Sequence, residues 1–521
     1  MRTDVVLART SQRNALATVL VVLFLTFLDT TIVSVTLGSI ESDMSAGVIP
    51  LQWVLNGYSL VFASLMLTAG ALGDRFGRKR VMLAGVVIFC IGSLMCAVAP
   101  AVGIVIAGRA VMGVGAAASE PGTLSIIRQL FPERAQRARA LGAWSAVAGL
   151  ALAAGPVIGG VLVGASGWRA VFWFNLALSV ALVAAVVRYV PESKDPQTGR
   201  VDVPGFVLGT TGIAAVIFAL IFGELYGYRA WWVVGLFVAG GLALLAFGPV
   251  EARVKAPMLD LRYMRQPIVT VALFAAFAVY FGVFAIFFLT ALYLDIGLAY
   301  TGWQLAGMFA PMAVAIVGGG LAAGRWVARD GPRPPMVVGC MLAALGTLLA
   351  RYELAGGTQL TTWVLAAALA IAGLGFGITV VPMTAAVLTH VPGRHSGMAA
   401  SATNTARQLG AVVGVAVLGA IVNAHLVDAV NEQFSGILAG SRANAMQILE
   451  TGGNGAVDLT NIPAPFITAF RDGLAVSLVV ATVLILLAGL AAAVVPIPAE
   501  DAETSEAIAL TLGLPELDTG G

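Results

Sequence analysis

Two opposite charges lie inside long apolar runs, where an ionised side chain needs a partner or water. Asp29 lies about 12 Å from the end of the first run at Leu37, and Arg109 lies about 12 Å from the start of the fourth run at Ala101. Both run ends are expected at the same membrane face, so the two side chains share a depth and can pair. Such a pair either fixes helix packing or holds a carboxylate that gains and loses a proton as the cation and water approach and leave.

A second carboxylate, Glu120, follows Arg109 by three helical turns plus about 20°, so both side chains point the same way. The residues between them on that side, Gly113 and Ala116, are small. Small residues along a charged stripe suit a ligand groove or the close packing of another helix. We interpret Glu120 as a substrate-binding residue or a second proton site. A structural ion pair and a position near the membrane interface are the alternatives.

Polar and helix-bending residues mark two further runs. A mid-membrane cluster in the thirteenth run is assigned to the same substrate or second proton site: Asn404, Arg407 and Gln408. A Gly and Pro pattern in the fifth run permits close helix approach and a kink, and is assigned to conformational change: Gly155, Pro156, Gly159 and Gly160. For this second pattern, a general packing face is the alternative.

A densely charged segment, GALGDRFGRKR from Gly70 to Arg80, joins the second and third runs. Its cations indicate a cytoplasmic loop, and its glycines permit a tight turn. Asp74 lies among these cations and can lock neighbouring helix ends. The residues assigned to gating here are Gly70, Gly73, Asp74, Arg75, Gly77 and Arg78. An ordinary basic loop is the alternative.

The elements that position these residues are fourteen apolar runs, each long enough to cross a bilayer as a helix. Of the 521 residues, 59% are hydrophobic and 11% are charged. Soluble domains carry about 25% charged residues, so we predict an all-α integral membrane protein. The runs lie near 15–37, 52–72, 81–99, 101–127, 140–163, 168–189, 205–223, 230–250, 268–292, 302–324, 335–351, 362–388, 397–423 and 473–495.

The placement of basic residues predicts the orientation of these helices. With both termini cytoplasmic, 22 of the 29 Lys and Arg residues fall on the inner side, 5 on the outer side and 2 within helices. The three cysteines lie in apolar runs without metal-ligand spacing, so no metal site is predicted. The sequence also contains no P-loop, which argues against transport driven by ATP.

An internal sequence repeat predicts how the helices are grouped. The segment from Gly320 to Pro334, GLAAGRWVARDGPRP, is a degenerate copy of the Gly70 segment, so the tenth run corresponds to the second. This relation predicts two six-helix bundles with an inserted helix pair between them. The predicted parts are a cytoplasmic N-terminus at 1–14, an N-terminal bundle at 15–189, inserted helices at 205–250, a C-terminal bundle at 268–495 with an external loop at 424–472, and an acidic cytoplasmic tail at 496–521.

Several motifs, in their order along the chain, resemble those of the major facilitator superfamily, in particular its fourteen-helix drug:proton antiporters of the EmrB/QacA type. The segments are LDTTIVSVTL at 28–37, QWVLNGYSL at 52–60, the Gly70 segment, GRAVMGVGAAA at 108–118, GPVIGG at 155–160, WRAVFWFN at 168–175, PMLDL at 257–261 and NTARQLG at 404–410. The resemblance covers about residues 15–495. It implies the major facilitator fold and places the family's membrane aspartate at Asp29 and its fourth-helix arginine at Arg109.

The resemblance implies a transporter and not an enzyme. It implies a monomeric, proton-coupled exporter of lipophilic drugs in a bacterial inner membrane, driven by the proton-motive force without a cofactor. Asp29 and Arg109 would couple the proton. The expected partners are a small hydrophobic substrate, protons and the lipid bilayer, with no nucleic acid. The alternatives are a dedicated exporter of an endogenous lipid, siderophore or antibiotic, and a membrane sensor or scaffold that has kept the fold and lost transport.

Overall fold

Fourteen long helices make up most of the computed structural model, which describes residues 2–46, 48–193, 202–254, 257–294, 300, 302–355, 362–433 and 464–495. In chain order they are α1 (Arg2–Ile32), α2 (Val48–Phe76), α3 (Arg78–Ala97), α4 (Val102–Leu130), α5 (Arg134–Ser166), α6 (Arg169–Tyr189), α7 (Val203–Tyr226), α8 (Trp231–Glu251), α9 (Pro267–Leu292), α10 (Gly302–Asp330), α11 (Arg333–Ala355), α12 (Thr362–His390), α13 (Ser396–Gln433) and α14 (Ala464–Val494). The remaining elements are 3₁₀ turns at Val33–Thr36 and Gly393–His395 and short helices at Leu37–Met44 and Leu261–Met264.

The number and type of the spans agree with the sequence. Fourteen helices of the described chain are long and apolar enough to cross a membrane, which confirms the predicted all-α integral membrane fold. Helices are required here because hydrocarbon offers a backbone N–H or C=O no partner outside the helix itself.

The predicted external loop needs correction, and so does the predicted loop at Gly70–Arg80, because α2 continues through Phe76 and α3 begins at Arg78. The segment 424–472, predicted to be an external loop, is helical at both ends, because α13 continues through Gln433 and α14 begins at Ala464. The two helices stay in contact there: a Cβ at Gly473 would lie 2.8 Å from Cα of Val422. Close packing and internal hydrogen bonds continue a helix even where its side chains become polar. The N-terminal segment 1–14 is also helical from Arg2. Residues 434–463 and the predicted acidic tail at 496–521 lie outside the described residues.

The first six and the last six helices pack in the same pattern. Helix α1 packs against α5 and α6, α3 packs against α4 and α6, and α2 packs against α4. Each of these contacts recurs among the last six helices when both helix numbers are raised by eight. Two crossings join the groups: α2 packs on α13, and α5 packs on α10. Since α10 corresponds to α2 and α13 corresponds to α5, the two crossings are equivalent. This is the pattern that two parallel six-helix repeats produce.

The inserted helices α7 and α8 pack against each other and cover the α2–α13 crossing. Ile213 and Ile217 of α7 form a buried cluster with Ala63 of α2. The hydroxyl groups of Thr68 on α2 and Thr210 on α7 lie 3.2 Å apart. The pair is therefore fixed beside one of the two places where the bundles meet.

Two buried carboxylates fasten one end of the inserted pair: Asp202 just before α7 and Glu251 at the end of α8. Asp202 accepts hydrogen bonds from the backbone N–H groups of Gly205 at 2.8 Å and Met258 at 3.4 Å. Glu251 accepts one from the N–H of Leu259 at 3.3 Å. Its other oxygen, Oε1, has no partner in the described part of the chain and would lie 2.6 Å from a Cβ at Gly205. The two carboxylates thus converge on one glycine and bind the connection that leads to α9.

We expect Glu251→Gln to preserve this junction and Glu251→Ala to loosen it. The amide of Gln still accepts from the Leu259 N–H and removes the repulsion between two neighbouring carboxylates. Ala leaves that N–H without a partner, at a cost of about 1–3 kcal/mol. The measurement is the melting temperature of the purified protein, which should fall for the Ala variant and stay near the wild-type value for the Gln variant. Equal losses in both variants would contradict the described junction.

Candidate functional site

A buried charged triad joins α1, α4 and α6. Nη1 of Arg109 donates a hydrogen bond to Oδ2 of Asp29 at 2.5 Å, and Nδ2 of Asn175 donates to Oδ1 of Asp29 at 2.8 Å. The side chain of Asp29 has 0% of its surface exposed. Asp29 and Arg109, paired in the sequence analysis by depth alone, therefore form a direct and fully enclosed ion pair.

Further neighbours hold Arg109 in place. Its Nε donates to the carbonyl oxygen of Val54 on α2 at 2.9 Å, and its guanidinium carbon lies 4.4 Å from the centre of the Tyr58 ring. The hydroxyl of Tyr58 donates to the carbonyl oxygen of Thr26 on α1 at 3.2 Å. Sequence reasoning does not single out Tyr58 or Asn175. The signal for Asn175 is an amide inside an apolar run, where a polar group needs a partner.

The Gly and Pro pattern of α5 lies against α1, within one bundle. A Cβ at Gly155 would overlap the side chain of Thr31, and a Cβ at Gly159 would lie 3.0 Å from the carbonyl oxygen of Ile32. Helix α1 ends at Ile32, and the chain continues as a 3₁₀ turn. A 3₁₀ turn at such a place often marks a hinge. The other two residues of the pattern, Pro156 and Gly160, are exposed. The pattern therefore sets a contact beside the triad and not between the bundles.

A second buried cluster lies where the two bundles meet. Glu120 of α4 and Arg407 of α13 interact electrostatically, although no hydrogen bond or ion pair joins their side chains among the described residues. The hydroxyl of Thr123 donates to the carbonyl oxygen of Glu120 at 2.6 Å and accepts from Nε1 of Trp144 at 3.0 Å. The ring of Trp144 lies 4.7 Å from the guanidinium carbon of Arg407. A chain of contacts therefore runs from the backbone of Glu120 to the guanidinium of Arg407.

The other partners of Arg407 lie on the last six helices. Its guanidinium donates to Oδ1 of Asn404 at 2.7 Å and to the hydroxyl of Thr384 on α12. It also lies 5.8 Å from the centre of the Tyr280 ring on α9. Gln408, assigned to the same site, is only half-buried. Several buried polar atoms of this cluster have no hydrogen-bond partner in the described structure: Oε2 of Glu120, Nε of Arg407 and Nδ2 of Asn404.

Arg109 and Glu120, predicted to share one stripe of α4, have separate partners. Arg109 faces the interior of the first bundle, whereas Glu120 faces the boundary with the second. Glu120 lies within α4, which continues to Leu130, about 15 Å farther on. Sequence reasoning misses Trp144 and Tyr280, since contacts between distant helices leave no spacing pattern in one sequence.

The charged segment Gly70–Arg80, which covers the end of α2 and the start of α3, forms a latch between the bundles. The carboxylate of Asp74 accepts hydrogen bonds from the backbone N–H groups of Gly397 and Met398, both at 2.9 Å. Arg78 donates to the same carboxylate at 2.7 Å. Asp74 thus caps the positive N-terminus of α13, where a negative charge is most favourable. The latch consists of Asp74, Arg78 and the first turn of α13.

The helix crossing under the latch requires glycine at one position and not at another. A Cβ at Gly70 would overlap the side chain of Ser401 and the carbonyl oxygen of Gly397. At Gly73, by contrast, the nearest atom to an added Cβ would be Cγ of Arg78 at 3.9 Å, an ordinary contact. Of these two glycines predicted to gate, only Gly70 is needed for the close approach of α2 to α13.

The turn at Gly77, between Asp74 and Arg78 of the latch, contacts the chain that follows α6. Gly77 has a φ of +108°, which favours glycine, and an added Cβ there would lie 2.6 Å from Oε1 of Glu192. Nε of Arg80 lies 3.5 Å from Oε2 of Glu192. Arg75, also predicted to gate, is half-buried and lies 5.3 Å from the centre of the Phe76 ring. These contacts fix the turn within the first bundle.

The α5–α10 crossing has the same close approach at the equivalent positions. A Cβ at Gly320 would lie 3.0 Å from Cβ of Ser145, just as Gly70 lies against Ser401. Four residues farther along α10, where α2 has its carboxylate, Gly324 packs so closely that a Cβ would lie 2.8 Å from the carbonyl oxygen of Ala138. At these equivalent positions, Asp74 of α2 accepts hydrogen bonds from α13, whereas Gly324 of α10 packs against the backbone of α5.

Two repeated bundles that meet at one face, with buried charges between their helices, are the architecture of a secondary transporter. The chain belongs to the Major Facilitator Superfamily, whose family model matches residues 19–415. It is a multi-pass membrane transporter and not an enzyme.

Three known proteins illustrate the relationship. Over 404 residues the chain is 32% identical to the multidrug resistance protein Stp of Mycobacterium tuberculosis, covering 78% of this chain and 74% of that protein. Over 418 residues it is 34% identical to the probable actinorhodin transporter of Streptomyces coelicolor, covering 78% and 72%. The crystal structure of the human organic anion transporter MFSD10 shares the fold, with a TM-score of 0.60, 15% identity and coverage of 91% of this chain and 99% of that one.

Proposed function

We propose that this chain is a proton-coupled exporter that moves small lipophilic compounds, drugs among them, out of a bacterial cell by alternating access. The observation that carries the proposal is the enclosed triad, in which one cation and one amide hold the carboxylate of Asp29. The names of the relatives, a multidrug resistance protein and a probable actinorhodin transporter, support the export of drugs or antibiotics. The proton-motive force drives the cycle, and no cofactor takes part.

In this proposal Asp29 carries the coupled proton and Arg109 controls when it binds. With the ion pair intact, the carboxylate is charged and sealed from water. When water from outside reaches the triad, a proton neutralises Asp29, and Arg109 keeps its contacts with Val54 and Tyr58. The neutral acid then turns with the protein towards the cell interior, releases the proton and pairs again with Arg109. Each inward proton permits one outward step of the substrate.

The latch defines which side is closed in this structure. Asp74 and Arg78 hold the α2–α13 crossing shut at the face of the charged segment. The excess of Lys and Arg, 22 of 29 residues, supports a cytoplasmic location for that face and for both termini. The conformation then corresponds to a state closed towards the cytoplasm. Substrate uptake from the cell requires the latch to open.

The driving force is sufficient for substantial accumulation. One elementary charge that crosses the membrane gains about 2.3 kcal/mol per 100 mV. Because about 1.4 kcal/mol corresponds to a factor of ten, one coupled proton at 100 mV supports a gradient of roughly fiftyfold for a substrate without net charge.

A second candidate function is the export of one endogenous lipid, siderophore or antibiotic, and similarity to a probable actinorhodin transporter favours it. A narrow range of exported compounds would distinguish this function from multidrug export. A non-transporting sensor or scaffold is less consistent with the triad, because a buried ion pair is costly in a membrane.

The proposal is tested by ethidium efflux from energised bacterial cells. We expect cells that produce the wild-type protein to expel the dye faster than cells with an empty vector, and a protonophore to abolish the difference. A level of efflux equal to the empty vector would rule out export of lipophilic cations. Efflux that persists with the protonophore would rule out coupling to protons.

A further inference from the structure

The Glu120–Arg407 cluster leaves hydrogen-bonding capacity unused at the boundary between the bundles. Two donors, Nε of Arg407 and Nδ2 of Asn404, and one acceptor, Oε2 of Glu120, are buried without a partner in the described structure. The side chains of Glu120 and Arg407 are each no more than 2% exposed. Unpaired polar atoms are costly in such surroundings, so their presence calls for a specific reason.

The two charged clusters differ in what happens to them when the bundles move. Asp29, Arg109 and Asn175 all belong to the first bundle, so the separation of the bundles does not by itself pull them apart. Glu120 lies on α4 and Arg407 lies on α13, so the same motion separates them. Once separated, each charge loses its counterpart and faces the space that opens between the bundles.

We infer that this cluster selects aromatic zwitterions, compounds that carry an acidic group and a basic group on one planar skeleton. The inference rests on the proposed function and names the substrate class of that transport. The two unused donors match the two oxygens of a carboxylate, and the unused acceptor matches a cationic N–H group. Only a ligand that carries both groups satisfies both sides of the cluster.

Aromatic side chains around Arg407 complete the site. Trp144 and Tyr280 lie 4.7 Å and 5.8 Å from its guanidinium carbon, on helices of opposite bundles. Their rings offer flat apolar surfaces to a planar ligand. Thr384 and Asn404 already hold the two terminal nitrogens of Arg407, so these residues orient the guanidinium and leave Nε for the ligand.

The test compares two dyes that differ at one carboxyl group. Rhodamine 110 carries a carboxylate and a delocalised cation, and rhodamine 123 is its methyl ester and carries only the cation. Binding of both dyes to the purified full-length protein in lipid nanodiscs is measured by fluorescence polarisation. We expect wild type to bind rhodamine 110 about tenfold more tightly, the size of one charged hydrogen-bonded contact.

Three variants assign this preference to the cluster. Arg407→Gln should abolish the preference for rhodamine 110, and Glu120→Gln should weaken both dyes, because both carry the cation. The double variant Glu120→Gln/Arg407→Gln leaves no lone buried charge and should bind both dyes equally. Arg262→Gln removes an exposed cation outside the cluster and should keep the wild-type preference.

Several outcomes would overturn the inference. One is wild-type protein that binds the ester as tightly as the acid, or binds neither dye. Another is a double variant that still prefers rhodamine 110. The proposed export function is judged separately by ethidium efflux and its response to a protonophore, so either conclusion can fail while the other stands.

Discussion

Asp29→Asn is expected to abolish uphill export while substrate exchange across the membrane continues. The amide cannot carry the coupled proton, but it keeps the shape of the side chain and an oxygen for Asn175. In proteoliposomes with an imposed membrane potential of 100 mV and a substrate without net charge, the steady-state gradient should fall from roughly fiftyfold to none. Counterflow of labelled substrate, which needs no net proton movement, should remain measurable.

Two further variants separate coupling from folding. Asp29→Asn leaves Arg109 as a buried charge without its counterion, which can cost about 3–5 kcal/mol. The double variant Asp29→Asn/Arg109→Gln removes both charges and should recover stability without recovering the gradient. The matched control is Asp43→Asn, which removes a half-exposed carboxylate paired with Arg169 and should leave the gradient unchanged. A fiftyfold gradient in the Asp29 variants would show that the proton binds elsewhere.

Gly70→Ala is expected to shift the protein away from the closed conformation described here. The added Cβ overlaps Ser401 and Gly397 only while α2 and α13 are crossed, so the closed state alone is destabilised. Overpacking of this kind costs about 1–3 kcal/mol, which corresponds to a shift of about 5- to 150-fold in the conformational equilibrium. Export should slow accordingly, because the cycle must pass through this state.

The shift can be measured beneath the crossing, where Ser125 lines a small cavity with Gly70, Arg78 and Gly397. In a variant that carries Ser125→Cys and lacks the native cysteines, a water-soluble maleimide should label inside-out vesicles faster when Gly70→Ala is present. Gly73→Ala adds the same methyl group where it meets only an ordinary contact, so labelling should stay at the reference rate. Equal labelling in both Gly variants would contradict the assigned crossing.

Sequence reasoning succeeds where a local rule decides the outcome. Hydrocarbon forces each apolar run into a helix, so fourteen spans can be counted directly. A buried carboxylate needs a counterion, and helix rise alone gives Asp29 and Arg109 a common depth. The segment containing Asp74 is recognisable because its glycines and charges follow each other along the chain.

The remaining contacts depend on how distant helices pack, which one sequence does not record. No spacing brings Trp144 of α5 onto Arg407 of α13, or caps α13 with Asp74 of α2. Sequence reasoning misses the ends of α13 and α14 for a related reason. Hydropathy detects only the membrane-embedded part of a helix, whereas packing around Gly473 extends both helices beyond that part. Gly73 is a similar case, because the sequence cannot tell a glycine in a crossing from one beside it.

In the proposed cycle, substrate movement and proton movement are one process that requires Asp29. The most direct measurement is the pH inside proteoliposomes that contain a trapped pH-sensitive dye, after a substrate gradient is imposed without any initial pH difference. The wild-type protein should move protons against the flow of substrate, and Asp29→Asn should move substrate without protons. Wild-type protein that transports substrate with no change in internal pH would contradict the account.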